Sequence, residues 1–202
     1  QGVGTIFDAN SFPDVVYFAN ALLGFAMGDP NGGYFEIYTT VNGGTTWTRT
    51  PQANIPAPLS GEWGYTNQYD VVGTTIWFGT NKGRVYKSID GGLNWTVSTT
   101  GLGDLSDLVM LDANNGLATF GIAIMKTTDG GATWSAVTPT GPFHVADLES
   151  VPGTSCYVST GAAPGDHGSS YSVDGGATWI KIDSAVAPPA SNQHGAQGWV
   201  NS

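Results

Sequence analysis

A stretch in the first half of the chain combines aromatic and amide side chains in a way that suits ligand binding. It reads Gly-Glu-Trp-Gly-Tyr-Thr-Asn-Gln-Tyr over residues 61–69, and its glycines predict a loop. Aromatic faces accompanied by Asn and Gln are typical of carbohydrate sites, but they equally suit packing between structural repeats. Packing is the default interpretation, and ligand contact by Trp63, Tyr65 and Tyr69 is the functional one.

Two other local patterns could carry chemistry. The segment Gly-Asp29-Pro-Asn31-Gly-Gly offers side-chain oxygens to a calcium ion, although two ligands alone favour a plain turn. His144 and the pair Asp166-His167 suggest acid–base work, because imidazole titrates near neutral pH. Exposed histidines on glycine-rich loops are the simpler interpretation. The sequence therefore predicts no cofactor and no zinc site, with calcium at Asp29 and Asn31 left open.

The elements that must position these residues follow from a phrase that the chain writes four times. The phrase is Ser/Thr-x-Asp/Asn-Gly-Gly-x-(Thr/Asn)-Trp, over residues 40–47, 88–95, 127–134 and 172–179. Its tryptophans are 48, 39 and 45 residues apart, which matches the period of roughly 40–50 residues of propeller blades. Asp or Asn before Gly-Gly favours a tight turn with positive φ, and the flanking segments are strand-like.

The side chains of the phrase are assigned structural roles. We expect the Asp or Asn to accept main-chain N–H bonds inside the turn, and the Trp to pack under the turn and between repeats. The residues concerned are Asn42, Asp90, Asp129 and Asp174, with Trp47, Trp95, Trp134 and Trp179.

Each repeat divides into four strands, which predicts an all-β propeller of four-stranded blades. The blades are placed at about 14–50, 64–98, 105–137 and 145–182, with a partial blade at 195–202, in one domain spanning 1–202. About four and a half blades are visible. Because propellers close with roughly 4–8 blades, we expect the chain to be part of a larger ring.

The phrase resembles the Asp box, or BNR-like repeat, of sialidases and other propellers, with Asn42 as a departure in the first copy. In that family the box lies between the third and fourth strands of a blade, away from the active face. Residues 27–38, 54–59 and 76–83 also resemble secreted or surface propellers of Bacteroidota with type IX sorting. The resemblance implies a propeller fold and an extracellular or cell-surface bacterial location. It is shared more weakly with photosystem II assembly factors, which use a basic surface that this chain lacks.

The resemblance does not carry an activity with it. A sialidase needs an arginine cluster, and the only arginines are Arg49 and Arg84, so no sialidase activity is expected. Other Asp-box propellers resemble inverting xyloglucanases, which use two carboxylates across a cleft. The candidates for such a pair are Asp29, Glu62, Asp104, Asp107, Asp147, Glu149 and Asp166. None lies in a diagnostic motif, so no catalytic residue is assigned and catalysis is not expected.

Charge and hydropathy restrict the partners. The chain has 16 acidic and 6 basic residues, with a formal net charge of −10, which argues against nucleic acid because phosphate binding needs clustered Lys and Arg. No apolar run is long enough to span a bilayer, so no membrane insertion is expected. Asn94-Trp-Thr is an acceptor pattern for N-glycans, and Asp-Ser184-Ala resembles the O-glycosylation pattern of Bacteroidota, which leaves a glycoprotein open.

Two hypotheses of different classes follow. The first is an extracellular structural or interaction propeller without catalysis, binding a protein or glycan at the cell surface or assembling with itself into a fibrous or surface structure. The alternative is a glycan-binding or glycoside-hydrolase-like propeller.

Overall fold

The protein is all-β, with four antiparallel sheets of four strands each. The computed structural model describes residues 7–182, so the predicted partial blade at 195–202 and Ser184 lie outside the described residues. Each sheet is an up-and-down meander in which consecutive strands pair, the arrangement of a propeller blade. The predicted all-β class with four-stranded blades is confirmed.

The strands follow the repeats. Blade 1 contains β1 (Pro13–Phe18), β2 (Gly24–Pro30), β3 (Phe35–Thr40) and β4 (Thr48–Arg49). Blade 2 contains β5 (Tyr69–Val72), β6 (Thr75–Gly79), β7 (Arg84–Ser88) and β8 (Thr96–Thr99). Blade 3 contains β9 (Asp107–Met110), β10 (Gly116–Phe120), β11 (Ala123–Thr127) and β12 (Ser135–Val137). Blade 4 contains β13 (Asp147–Ser150), β14 (Tyr157–Ala163), β15 (Asp166–Ser172) and β16 (Ile180–Lys181). A single 3₁₀ turn, Gln52–Asn54, stands among the described elements, and no described helix could cross a membrane.

One hairpin is longer than its sequence suggests. The apolar pattern limits the second and third strands of blade 4 to residues 156–159 and 169–172, but β14 and β15 stay paired as far as Ala163 opposite Asp166. Gly165 has a φ of 89°, which lets a two-residue turn close the hairpin directly. The polar and small residues of this hairpin are therefore part of the sheet.

The chain forms two compact units. Unit 1 comprises Gln1–Thr99 and Gly103–Leu105, and unit 2 comprises Thr100–Leu102 and Ser106–Ser202. In unit 1 the two blades share an aromatic core in which Phe78 stacks on Tyr86 with ring centroids 4.9 Å apart, and Phe35 meets both rings edge-on. In unit 2 the core is largely aliphatic, built around Leu117, Ile124 and Leu148.

The four copies of the phrase form four turns of one geometry, here called the repeat turns. In each, the Ser/Thr hydroxyl donates to the Asp or Asn Oδ1 at 2.8–3.0 Å and accepts the N–H of the second glycine at 2.7–3.0 Å. The same Oδ1 accepts the N–H four residues on at 2.8–2.9 Å. Both glycines of every turn have φ between 66° and 96°, a region that side chains with a Cβ rarely adopt.

The tryptophans of the repeat turns differ in burial. Trp95 and Trp179 are 6% and 2% exposed, and each indole N–H donates to the carbonyl of the second glycine of its turn at 3.0 and 2.9 Å. Trp47 and Trp134 are half-buried. Trp95 also meets the Phe78 ring at 5.2 Å, so it joins its turn to the core of unit 1.

The difference in burial predicts a difference in stability. Trp95→Ala should lower the free energy of unfolding by about 3–5 kcal/mol, because it empties a packed site and removes the indole hydrogen bond. Trp47→Ala, the same change at a half-buried ring, should cost clearly less. Urea denaturation followed by far-UV circular dichroism measures both, and equal losses would contradict this assignment of the core.

The repeat turns also predict an acid-sensitive contribution to stability. Hydrogen bonds from Thr133 and Thr127 lower the pKa of Asp129 from 3.8 to about 2. A lowered pKa stabilises the fold above pH 4, and this contribution is lost as the pH falls through about 2. The stability difference between wild type and Asp129→Asn should therefore shrink between pH 4 and pH 2, as measured by thermal melts.

A reciprocal variant supplies the control, since the first repeat turn already carries an amide. Asn42→Asp should stabilise the fold above pH 4 relative to wild type, and this gain should likewise shrink as the pH falls to 2. A difference that is constant from pH 5 to pH 2 in both variants would show that the carboxylate charge has no part in the turn.

Candidate ligand-binding pocket

The aromatic loop of residues 61–69 borders a cavity in unit 1. The cavity has a volume of about 350 Å³ and is here called the Trp63 pocket. Its lining residues are Phe12, Asp14, Asp29, Trp63, Gly64, Tyr65 and Thr66. Phe12 directly precedes β1, Asp14 lies in β1 and Asp29 lies in β2. The other four residues come from the loop between β4 and β5. The pocket therefore combines two carboxylates with three aromatic side chains.

The two carboxylates lie on adjacent strands. The pairing of β1 with β2 shifts register between Pro13 and Val15, so Asp14 occupies a bulge, and the N–H of Asp29 donates to the carbonyl of Phe12 at 2.9 Å. Bulges commonly re-aim a side chain at the edge of a sheet. Here the irregularity places Asp14 and Asp29 together on one wall of the pocket.

Asp14 is an unsatisfied buried acid. It is 5% exposed, and neither carboxyl oxygen has a hydrogen-bond partner in the described part of the chain. Burial, followed by the charge of Asp29, raises the pKa of Asp14 to about 7. Asp29 accepts the N–H of Gly64 at 2.9 Å, yet burial raises its pKa as well. The protein thus holds two acids in a place that disfavours their charge.

Trp63 and Tyr65 form the aromatic side of the pocket. The Trp63 side chain is 45% exposed, although its backbone is fixed by reciprocal hydrogen bonds with Asn81 at 2.9 and 3.1 Å. The Tyr65 hydroxyl donates to Asp104 Oδ1 at 2.8 Å, and burial and Asp104 raise its pKa to about 12. Trp63 is thus a rigidly mounted ring with an accessible surface, as in many binding sites.

The loop is held by a buried ion pair. Glu62 has a fully buried side chain and accepts from Arg84 Nε at 3.1 Å, from the Thr80 hydroxyl at 2.7 Å and from the Leu59 N–H at 2.6 Å. Arg84 in turn contacts the Tyr86 hydroxyl and the carbonyl of Ala57. Glu62, one of the candidate acids of the sequence, therefore positions the loop and does not face the pocket.

The other candidate residues from the aromatic and glycine-rich stretches lie elsewhere. Tyr69 packs against Tyr17 and Phe25, each with ring centroids 5.9 Å away, and does not line the Trp63 pocket. Asn31 directs its amide to Asp8, Ser11 and Glu36 at 3.2–3.3 Å. The Nδ2 group of Asn31 is thus held by these three acceptors. Residues 7–182 contain no cluster of three or more His, Cys, Asp or Glu side chains that could hold a metal ion.

The glycosylation candidate Asn94 is engaged in its repeat turn. Its side-chain amide donates to Asp90 Oδ2 at 2.8 Å, so attachment of a glycan would have to displace this bond.

Unit 2 contains a second acidic and imidazole arrangement. His144 Nδ1 lies 2.7 Å from Asp166 Oδ1, and Asp166 Oδ2 accepts the N–H of Val145 at 3.0 Å. The Ser159 hydroxyl bonds the main-chain N–H of His144 at 3.1 Å and not its ring. The group therefore lacks the serine-to-imidazole contact of a nucleophilic triad, and it fastens the hairpin of β14 and β15 to the segment before β13.

Another acid of unit 2, Asp107, also has a raised pKa. Burial, followed by the charge of Asp147, raises the pKa of Asp107 to about 6. The Thr119 hydroxyl donates to Asp107 at 3.3 Å, so this acid has the hydrogen-bond partner that Asp14 lacks.

Both arginines are committed to the fold. The Arg49 guanidinium lies 4.2 Å from the centre of the Tyr34 ring and donates to the carbonyl of Asn31 at 2.7 Å, and Arg84 pairs with Glu62. The two guanidinium groups thus have different partners.

Asp14 is not among the acids that the sequence singles out. The signal for it is an acid placed directly before Val15 and Val16, at the start of a strand that is otherwise apolar. An acid at such a position predicts either an exposed end of the strand or a buried carboxyl group that takes part in ligand binding. Its partner loop lies about fifty residues further along the chain, so the choice between these two requires the tertiary structure.

Comparison with known proteins supports the fold. No protein-family model and no curated protein sequence matches the chain. A structure of YCF48 bound to D1 peptide aligns with a TM-score of 0.58 and 19% identity, covering 84% of this chain and 52% of that one. YCF48 from Cyanidioschyzon merolae aligns with a TM-score of 0.56 and 18% identity, covering 87% and 58%. A GH74 enzyme from Niastella koreensis aligns with a TM-score of 0.54 and 22% identity, covering 87% and 30%.

These alignments define a class of fold. The chain spans between 30% and 58% of the structures that it resembles, and at these identities the likeness is one of architecture alone. The chain has a β-propeller architecture built from four-stranded blades.

The unsatisfied acid predicts a stabilising substitution. A carboxyl whose pKa is raised to about 7 in the folded state costs stability as the pH rises from about 4 to 7. Asp14→Asn should therefore raise the free energy of unfolding at pH 8 by an amount on the order of 1–3 kcal/mol, and change it little at pH 4. Urea denaturation at the two pH values measures this.

Asp112→Asn is the matched control, because its hydrogen bond with Asn115 lowers the pKa of that acid. This variant should bring no gain at pH 8. An Asp14→Asn protein that is no more stable than wild type at pH 8 would show that the Asp14 carboxylate is well solvated.

Proposed function

We propose that this chain is an interaction module of the β-propeller class that binds its partner through the Trp63 pocket, outside the cell or at its surface. The observation that carries the proposal is a half-exposed, rigidly mounted Trp63 ring beside a cavity with an unsatisfied acid. Aromatic side chains with accessible faces dominate the energy of many binding sites. The extracellular location rests on the resemblance to surface propellers of Bacteroidota.

The placement of the acids favours binding over hydrolysis. Asp14 and Asp29 stand on neighbouring strands, and the other described lining residues are Phe12, Trp63, Gly64, Tyr65 and Thr66. Hydrolysis by two carboxylates needs one acid on each side of the scissile bond. The other lining residues carry no carboxylate, which suits recognition of a ligand.

Two ligand classes fit an interaction module. A similar propeller, YCF48, was solved with a bound D1 peptide, which supports a protein segment as one kind of ligand for this fold. The Trp63 ring beside Tyr65 favours a glycan as the second candidate, because sugar rings stack on aromatic faces.

The proposal predicts that ligand binding depends on Trp63. Ligands of the full chain, selected from a glycan array and a displayed peptide library, should bind Trp63→Ala about tenfold or more weakly than wild type, because truncation of a central aromatic anchor is costly. The fold should tolerate the change, since the side chain is 45% exposed, and circular dichroism melts check this.

Ile89→Ala removes another exposed apolar side chain of unit 1, 69% exposed and outside the pocket, and should bind as wild type does. Ligands that bind Trp63→Ala and wild type equally would place the binding surface elsewhere. If the wild-type chain cleaves a glycan, the proposed function as a binding module is wrong and the chain is a glycoside hydrolase.

A further inference from the structure

The Trp63 pocket contains one acid, Asp14, whose carboxyl oxygens have no hydrogen-bond partner among residues 7–182. We infer, on the basis of the proposed function, that the pocket selects a positively charged side chain of a protein partner, lysine or arginine, held between the Asp14 and Asp29 carboxylates and the face of Trp63. The inference names the chemistry of the ligand and assigns Asp14 as a specificity residue.

The first argument is hydrogen-bond satisfaction. Asp14 is 5% exposed, and neither of its carboxyl oxygens has a donor among residues 7–182. Buried polar groups are almost always satisfied. The residue that approaches Asp14 is Gly64, where a Cβ would come within 3.1 Å of Oδ2. No side chain at position 64 could supply a donor without crowding the acid. A donor on a molecule that enters the pocket would satisfy Asp14 without this crowding.

The second argument is charge. Burial and the charge of Asp29 raise the pKa of Asp14, and burial raises the pKa of Asp29. A neutral sugar could donate hydrogen bonds, but it would leave the repulsion between two carboxylates in place. An ammonium or guanidinium group supplies the donors and offsets the repulsion at once.

The cations of the chain itself do not fill this role. Arg49 and Arg84 are committed to Tyr34 and Glu62. The ammonium of Lys82 lies 5.9 Å from the centre of the Trp63 ring and is not part of the pocket lining. Its position is consistent with the attraction of an indole face for cations. The Trp63 face and the two acids thus form a site with the elements of a cation cage.

The same geometry makes the affinity depend on pH. The groups that face Asp14 are Asp29 from β2 and the loop residues Trp63 to Thr66, with Lys82 above the Trp63 ring. Tyr65 stays neutral because its pKa is raised to about 12. Asp14 gains its charge as the pH rises through about 7, so a cation should bind more tightly at pH 8.5 than at pH 5.5.

Three small probes test the inference on the full chain. They are Nα-acetyl-lysine methylamide, its uncharged counterpart Nα-acetyl-norleucine methylamide, and methyl β-glucopyranoside. Binding is followed by titration of the Trp63 indole N–H signal in ¹H–¹⁵N spectra at pH 5.5 and 8.5, with the signal identified by its absence in Trp63→Phe. The lysine probe should bind about fivefold more tightly at the higher pH, and the norleucine probe should show no dependence on pH.

Asp14→Asn should remove the pH dependence and weaken binding of the lysine probe about fivefold at pH 8.5. Asp112→Asn removes the same charge outside the pocket and should leave both quantities unchanged, which separates the local effect from the net charge of the chain. Since Asp14→Asn is expected to fold at least as stably as wild type, lost binding in it reports on the site.

Four outcomes overturn the inference. They are equal binding of the lysine and norleucine probes, an affinity without pH dependence, an unaltered affinity in Asp14→Asn, and no response to the lysine probe. If the glucoside alone moves the Trp63 signal, the ligand is a glycan, and the pocket keeps its proposed function. If no probe moves the signal, the Trp63→Ala comparison with selected ligands decides separately whether the pocket binds anything.

Discussion

The hydrogen bonds of the repeat turn are the constraint on which each blade depends. A hydroxyl, a carboxylate or amide oxygen and two glycines satisfy one another within eight residues. The positive φ of both glycines lets the chain reverse between the third and fourth strands, and the indole N–H of Trp95 closes the turn from below. Because the fourth strands are only two to four residues long, they hold few ladder bonds of their own. The turn therefore supplies much of the order at the outer edge of each blade.

A second constraint places the pocket on this framework. The loop between β4 and β5 has few elements of regular structure, and the buried pair of Glu62 with Arg84 fixes it. Burying two charges is costly unless both are paired and hydrogen-bonded, and here Thr80 and the Leu59 N–H complete the carboxylate. The strongest ion pair of unit 1 is thus structural. It holds Trp63 and Gly64 against β1 and β2 at the point where two other acids meet.

The sequence predicts what is local and misses what is not. Repeat turns and four-stranded blades depend on contacts within one repeat, so the phrase and its period suffice to predict the propeller class. The pocket joins the bulge at Asp14 in the first repeat to Gly64, fifty positions further along the chain. No sequence motif predicts this contact. In the sequence, Glu62 and Tyr69 resemble site residues, because nearby glycines predict a loop and an acid or an aromatic side chain on a loop is available to a ligand. In the structure, Glu62 is buried among partners and Tyr69 begins a strand that packs against Phe25.

Asp14 illustrates how stability and binding oppose each other in this fold. An asparagine or a small apolar residue would occupy the bulge at lower cost, because neither needs to be ionised in a buried place. A residue that lowers stability at neutral pH is typical of a site whose partner is supplied from outside. By linkage, a cation that binds only the folded, ionised form recovers the stability that the acid costs. The pH range in which an ionised, unpaired Asp14 costs most stability is therefore the range in which the proposed cation would bind best.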